Sequence, residues 1–268
     1  MAIASQASFN QSLKKYYSFY TGGFIIFLIV LAILEQLGVP NRWIGYLAHG
    51  RRFAMYPFHV SRDRELLRRL ERETAPIFLL PLQLESDVQI RYYSPFPTMA
   101  ALIEHVMRSF ARCAPAGSRL VIKNHPLDPG FVSYERLVAR LARETGVADR
   151  VDYVDTGDAS ALMPRARGIV TVNSTVGMSA LMLGRPAIAL GTAVYNLPGL
   201  TFGGALDDFW RETPPPDAEL FRLFRNTVIH TTQVHGGFYT EESTGLAARN
   251  CRRLLLAEKS PFEELVGK

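Results

Sequence analysis

Between residues 76 and 260, short apolar runs alternate with stretches in which apolar residues recur every three or four positions. The runs 77–82 (IFLLPL), 119–123 (RLVIK), 150–154 (RVDYV), 168–172 (GIVTV) and 186–190 (PAIAL) have strand length. From Met99 to Cys113 the spacing of Leu102, Val106 and Phe110 predicts a helix, and residues 134–144 predict another. A short helix near 159–166 and one over 176–183, closed by Gly184, continue the alternation. Two more helices, over 217–228 and 244–258, end the pattern, and 213–216 (TPPP) is a stiff connector. Continuous apolar strands joined by helices predict an α/β fold: a Rossmann-like, doubly wound parallel sheet covered on both faces.

Upstream of residue 76 the pattern is different. Residues 16–34 carry no formal charge, and their centre, 24–34 (FIIFLIVLAIL), is continuously apolar. A helix that long just spans a bilayer core of about 30 Å. The 11 residues of the centre suit a buried or interfacial helix equally well. Lys14 and Lys15 precede the run, and Arg42, Arg51 and Arg52 follow it, with Trp43 and Tyr46 between. Such flanks favour anionic headgroups, so an inner-membrane surface is an expected partner. No small-residue cleavage site follows, which argues against a processed, secreted protein. Residues 62–73 (RDRELLRRLERE) alternate in charge and predict a solvated helical connector. The expected division is therefore a basic helical segment over 1–75 and a Rossmann-like domain over 76–268.

Composition narrows the classes. The 268 residues are 48% hydrophobic and 21% charged, ordinary for a globular chain with a sizeable core. The net charge of +5 is confined to residues 1–75, which hold 10 Lys/Arg against 5 Asp/Glu; the remainder holds 20 of each. A nucleic-acid binder is not expected from that distribution. Cys113 and Cys251 stand alone, without disulfide or zinc spacing, which fits a reducing compartment.

In doubly wound sheets the ligand crevice lies at the carboxyl ends of the strands, and three ends here carry unusual residues. After the first strand comes 83–87 (QLESD), where Gln83 offers hydrogen bonds to a sugar or base. Asp87 and Glu85 offer a nucleophile or base there, or simply a capped turn. At the second, Lys123, Asn124, His125 and Pro126 set an imidazole beside a rigid proline and a positive charge. That is a site for a phosphate or an anionic leaving group, or else a structural histidine. At the fourth, 173–177 (NSTVG) joins strand to helix, and Ser174 and Thr175 fit either an anion site or an ordinary N-cap. Residues 191–195 (GTAVY) come after the fifth strand and are placed to close the same pocket. Asp207 and Asp208 are adjacent acids of the kind that start a helix or, less simply, bind a metal. The chain has no P-loop lysine motif, GxGxxG, HExxH or GxSxG.

The segments 81–90 (PLQLESDVQI) with Ser94, 120–130 (LVIKNHPLDPG) with Tyr134, 172–181 (VNSTVGMSAL), 191–201 (GTAVYNLPGLT), Phe209-Trp210 and Thr232-Gln233 share one resemblance. Together they resemble the bacterial capsule polysaccharide biosynthesis family of the KpsS/LipB type, from about residue 76 to 240. The resemblance implies a retaining β-Kdo transferase of GT-B architecture, of which this sheet is the C-terminal, donor-binding part. It implies CMP-Kdo as donor substrate, no further cofactor, and a phosphatidylglycerol-type lipid or Kdo as acceptor. It places the protein at the cytoplasmic face of the bacterial inner membrane, among other capsule assembly proteins.

Carried over by residue, His125-Pro126 holds the cytidine monophosphate, with Lys123 beside it. Ser174, Thr175 and Gly177 form the donor-phosphate segment, Gln83 matches the glutamine motif, and Asp87 matches the proposed nucleophile. A leaving phosphate stabilised by His125, Lys123 and a helix end requires no divalent metal. Family members carry a whole N-terminal Rossmann-like domain where this chain has about 75 residues. The alternatives to an active transferase are therefore a non-catalytic CMP-sugar-binding or scaffolding subunit, a half completed by a chain supplying the N-terminal lobe, or a truncated relic. A uridine-nucleotide epimerase of similar architecture is a further reading.

Overall fold

The computed structural model describes residues 43–157 and 159–267, so the apolar run 16–34 lies outside the described residues. Among the described residues, no helix is long and apolar enough to cross a membrane. Residues Pro57–Asp128 and Ser133–Lys268 form one compact unit, which contains the whole sheet, while Pro129–Val132 group with the chain before Pro57.

The chain runs α1 (Trp43–Arg72), β1 (Ile77–Pro81), α2 (Val88–Tyr93), α3 (Met99–Cys113), β2 (Arg119–Lys123), α4 (Tyr134–Glu144) and β3 (Val151–Val154). A 3-10 helix (Ala159–Arg165) leads to β4 (Ala166–Thr171), α5 (Thr175–Met182), β5 (Ala187–Ala189) and α6 (Leu206–Phe209). The helices α7 (Ala218–Thr232), α8 (Glu241–Leu255) and α9 (Pro261–Leu265) end it. All strand pairs are parallel, in the order β3-β2-β1-β4-β5. The chain winds outward from β1 through β2 to β3, then returns to place β4 on the other side of β1. That reversal is the switch point where doubly wound sheets open a crevice.

The strands are apolar on both faces because both are covered. Phe78, Leu80, Leu120, Ile122, Val170 and Ile188 join one buried layer with the inward faces of α3 and α4. Ile77, Leu79, Val121, Ile169 and Ala187 alternate with them and join the opposite layer with Leu70 of α1 and Ala180 and Leu181 of α5. In the first layer Trp210 packs edge-on against Phe78 and Phe110, at centroid distances of 5.0 and 5.3 Å.

Two elements depart from expectation. The charged stretch 62–73 is not simply a solvated connector, since Asp63 and Leu70 are both fully buried. Asp63, Leu66, Leu67 and Leu70 fall at i, i+3, i+4 and i+7, one helical face, and the arginines and glutamates occupy the rest. The second is α2, six residues that continue directly from the 83–87 segment and bury only Ile90.

Candidate functional site

The candidate residues lie on the segments that leave the carboxyl ends of β1, β2 and β4. The pairing of β1 with β2 continues past the strand, where the Leu82 amide donates to the Lys123 carbonyl at 2.8 Å. Segments 81–83 and 123–125 therefore lie side by side. Lys123 is buried and its Nζ donates to the carbonyls of Asn124 (2.6 Å) and Asp155 (3.3 Å). Asn124 is more deeply buried still. Its Nδ2 donates to Asp155 Oδ1 at 2.8 Å and to Asp128 Oδ2 at 3.2 Å, while its Oδ1 accepts from the His125 amide at 2.9 Å. The turn after β2 is thus held from inside by one asparagine.

His125 is half-buried, and its Nδ1 accepts from the Leu127 amide at 3.1 Å. In the neutral ring the proton is then on Nε2, which makes that nitrogen a hydrogen-bond donor. Pro126 is exposed beside it.

Across the switch point, α5 begins with Ser174 as its N-cap, whose Oγ accepts from the Val176 amide at 3.2 Å. Thr175 is exposed at the first helical position. Gly177 is buried because Tyr195, from the segment after β5, occupies the space a side chain would need; an added Cβ would meet Tyr195 Cζ at 2.5 Å. The Tyr195 hydroxyl donates to the Ser174 carbonyl at 2.5 Å. The segment expected to close the pocket thus buttresses the helix start from beneath. Burial pushes the Tyr195 phenol up, so it stays a neutral donor.

Gln83 is buried and spans the switch point. Its Nε2 donates to Asn173 Oδ1 at 2.9 Å, and its Oε1 accepts from the Asn173 amide at 3.3 Å. Asp87 is exposed and caps α2, with Oδ1 accepting from the Gln89 amide at 2.9 Å. Glu85 accepts from the Tyr134 hydroxyl at 3.0 Å, and burial, with Glu85 adding to it, raises that phenol above its ordinary range.

Strand pairing sets Gln83 beside the 123–125 segment on one side, and its own hydrogen bonds tie it to Asn173 on the other. Asp207 and Asp208 are elsewhere, in the first turn of α6, where Asp207 accepts from Ser109 Oγ (2.5 Å) and Arg112 Nη2 (2.6 Å). Among the described residues, no three His, Cys, Asp or Glu side chains gather as metal ligands.

The sequence did not single out Asp63, and it showed Asn124 and Asn173 only as members of strand-end segments, not as the residues that hold them. Asp63, fully buried, accepts from the amides of Asp155 (2.9 Å) and Thr156 (2.6 Å) and from Thr156 Oγ1 (3.0 Å), fixing the loop that receives Asn124. Its place on the leucine face of α1 was a signal for it. Asn124 and Asn173 each stand close after a strand, where a polar side chain has buried amides to satisfy.

The family described as capsule polysaccharide biosynthesis protein matches residues 36–239. A capsule polysaccharide modification protein LipB of Neisseria meningitidis serogroup B is 37% identical over 222 residues, 78% of this chain and 53% of the relative. A capsule polysaccharide export protein KpsS of Escherichia coli is 40% identical over 182 residues, 68% of this chain and 47% of the relative. The chain spans about half the length of these curated relatives. Among solved structures, the β-Kdo 2,7 transferase KpsC of Thermosulfurimonas dismutans superposes with a TM-score of 0.37 at 20% identity, over 63% of this chain and 61% of that one. That superposition is too loose to bear on function.

Proposed function

Since the chain belongs to the capsule polysaccharide biosynthesis protein family, we propose that its crevice binds the donor nucleotide of a sugar transfer in capsule assembly, with CMP-Kdo as donor. The observation that supports this reading is that His125 leaves the carboxyl end of β2 and the N-terminus of α5 that of β4, the two strands that flank β1, so both lie on the edge of the sheet where a phosphate would be held.

In this reading His125 Nε2–H and the Thr175 amide at the start of α5 bind the phosphate of CMP, with the Ser174 and Thr175 hydroxyls beside them. Lys123, buried behind the turn, adds positive charge. Asp87 is the nucleophile. A carboxylate oxygen attacks the anomeric carbon as the bond to the CMP phosphate oxygen breaks, and CMP leaves as an anion. An acceptor hydroxyl then displaces Asp87, losing its proton to a base, with net retention. The acceptor is a phosphatidylglycerol-type lipid or its Kdo-bearing product, reached at the cytoplasmic face of the inner membrane. No metal or cofactor is assigned to the donor site.

Titration calorimetry with CMP, UMP and UDP tests the donor site. CMP should bind most tightly. His125→Ala should weaken it by about 1.5 to 3 kcal/mol, the range for a hydrogen bond to a charged group. A preference for UDP would overturn the cytidine assignment, and an affinity unchanged in His125→Ala would make that residue structural.

A further inference from the structure

We propose that Asn173 is a positioning residue, whose side-chain amide fixes helix α2, and with it Asp87, against the end of β4. The inference rests on the reading of Asp87 as nucleophile and adds what places that nucleophile.

Asp87 sits at the start of a helix that has little to hold it. At six residues α2 is far shorter than any helix stable by itself in water. It buries one side chain, Ile90, and leaves Val88, Tyr92 and Tyr93 exposed. One buried residue fixes a point but not an orientation.

Asn173 supplies the rest. Its Nδ2 donates to the carbonyl of Gln89 at 2.8 Å, in the first turn of α2, and to that of Tyr93 at 3.3 Å, its last residue. One amide group thereby holds both ends of the helix. The Tyr93 carbonyl also accepts from the Thr192 amide at 3.0 Å, which ties it to the segment after β5. Asn173 is itself fixed from the opposite side. Its Oδ1 accepts from Gln83 Nε2 and its backbone amide donates to Gln83 Oε1. Two carbonyl acceptors on one side and an amide donor on the other leave only one orientation for the Asn173 side chain.

Both glutamine and asparagine amides are therefore spent within the protein, and they connect the two sides of the switch point. Because Ser174 is the next residue, the position of Asp87 is referred to the same short segment that starts α5. In a transfer reaction this is the separation that matters, from nucleophile to donor phosphate. A misplacement of about 1 Å is enough to cost about a hundredfold in rate.

Asn173→Asp isolates the tether. It keeps the size of the side chain and an acceptor for Gln83, but turns an oxygen toward the carbonyls of Gln89 and Tyr93. Hydrogen exchange of the 88–93 amides and steady-state turnover of CMP-Kdo, with CMP affinity measured alongside, are read on the full chain. The expected result is exchange in α2 faster by about tenfold and kcat lower by about a hundredfold; CMP affinity is read in Asn173→Ala, which adds no charge beside the donor-phosphate segment, and its Kd there stays within about twofold of the parent. Asn173→Ala, which removes both carbonyl bonds without adding a charge, replaces the variant should it not fold.

Unchanged exchange in α2 overturns the tether, and so does a CMP affinity that falls in step with turnover in Asn173→Ala, since that marks a general disturbance of the site. If the parent itself turns over no CMP-Kdo while exchange in α2 rises in the variant, the tether stands and the nucleophile reading falls.

Discussion

A carboxylate taken out of water costs several kcal/mol unless donors surround it, and at Asp63 they do. Two backbone amides, the Thr156 hydroxyl and Arg62 Nε all point at its two oxygens. Asp63→Ala would leave the amides of Asp155 and Thr156 buried without their partner. The expected loss is about 3 kcal/mol of stability, read by urea unfolding; a loss under about 1 kcal/mol would mean that the loop does not depend on this residue. Asp207 behaves differently because it is 39% exposed. The Ser109 hydroxyl, and after it Arg112, hold its carboxyl down from 3.8 to about 2. The unfolded chain therefore takes up the proton first. The stabilisation is fully present above pH 3.8 and is lost as pH falls toward about 2. Thermal melts of parent and Asp207→Asn should differ near neutrality and converge at low pH; a gap that persists in acid would show that packing, not charge, is responsible. Solvent screening keeps the effect small.

At the scale of elements, α5 depends on a glycine for a reason of space. Gly177→Ala would press its methyl into the Tyr195 ring, and about 1 to 3 kcal/mol of destabilisation is expected from such overpacking. The penalty should largely vanish in a Tyr195→Ala background, and an additive double mutant would contradict the contact. The sequence announced α5 well, since the Ser174 cap and Gly184 mark its ends, with Gly184 at φ 66° just beyond the helix. For α2 there was no such announcement. Residues 88–93 (VQIRYY) are too few to show a period, and they are held by buried Ile90, by the Thr192 amide and by Asn173, which is 80 residues away from Tyr93 in sequence. Hydrophobic pattern cannot register a tether of that kind. The leucine face of α1 did mark the place of Asp63, but not its partners, the amides of Asp155 and Thr156, which are 92 and 93 residues away in sequence.

The whole molecule was more legible than its site. Five apolar runs became five parallel strands because a sheet covered on both faces needs apolar residues at every position, and such runs stand out. The strand order then set the switch point between β1 and β4, and the family resemblance agreed with the matched family. What pattern alone did not supply was which polar residues at the edge hold others in place. Asn124 and Asn173 are of that kind, and Asn124 is bonded directly to the His125 amide. The chain spans about half the length of its curated relatives, so transfer by this chain is the claim most in need of a direct assay. The assay is CMP release from CMP-Kdo by the purified chain, with and without a phosphatidylglycerol-type acceptor, in the parent and in Asp87→Ala. Release that requires the acceptor and disappears in Asp87→Ala, while CMP still binds, is the predicted result. CMP binding without any acceptor-dependent release, or release that survives in Asp87→Ala, would contradict the assignment of this crevice as a transferase site built on Asp87.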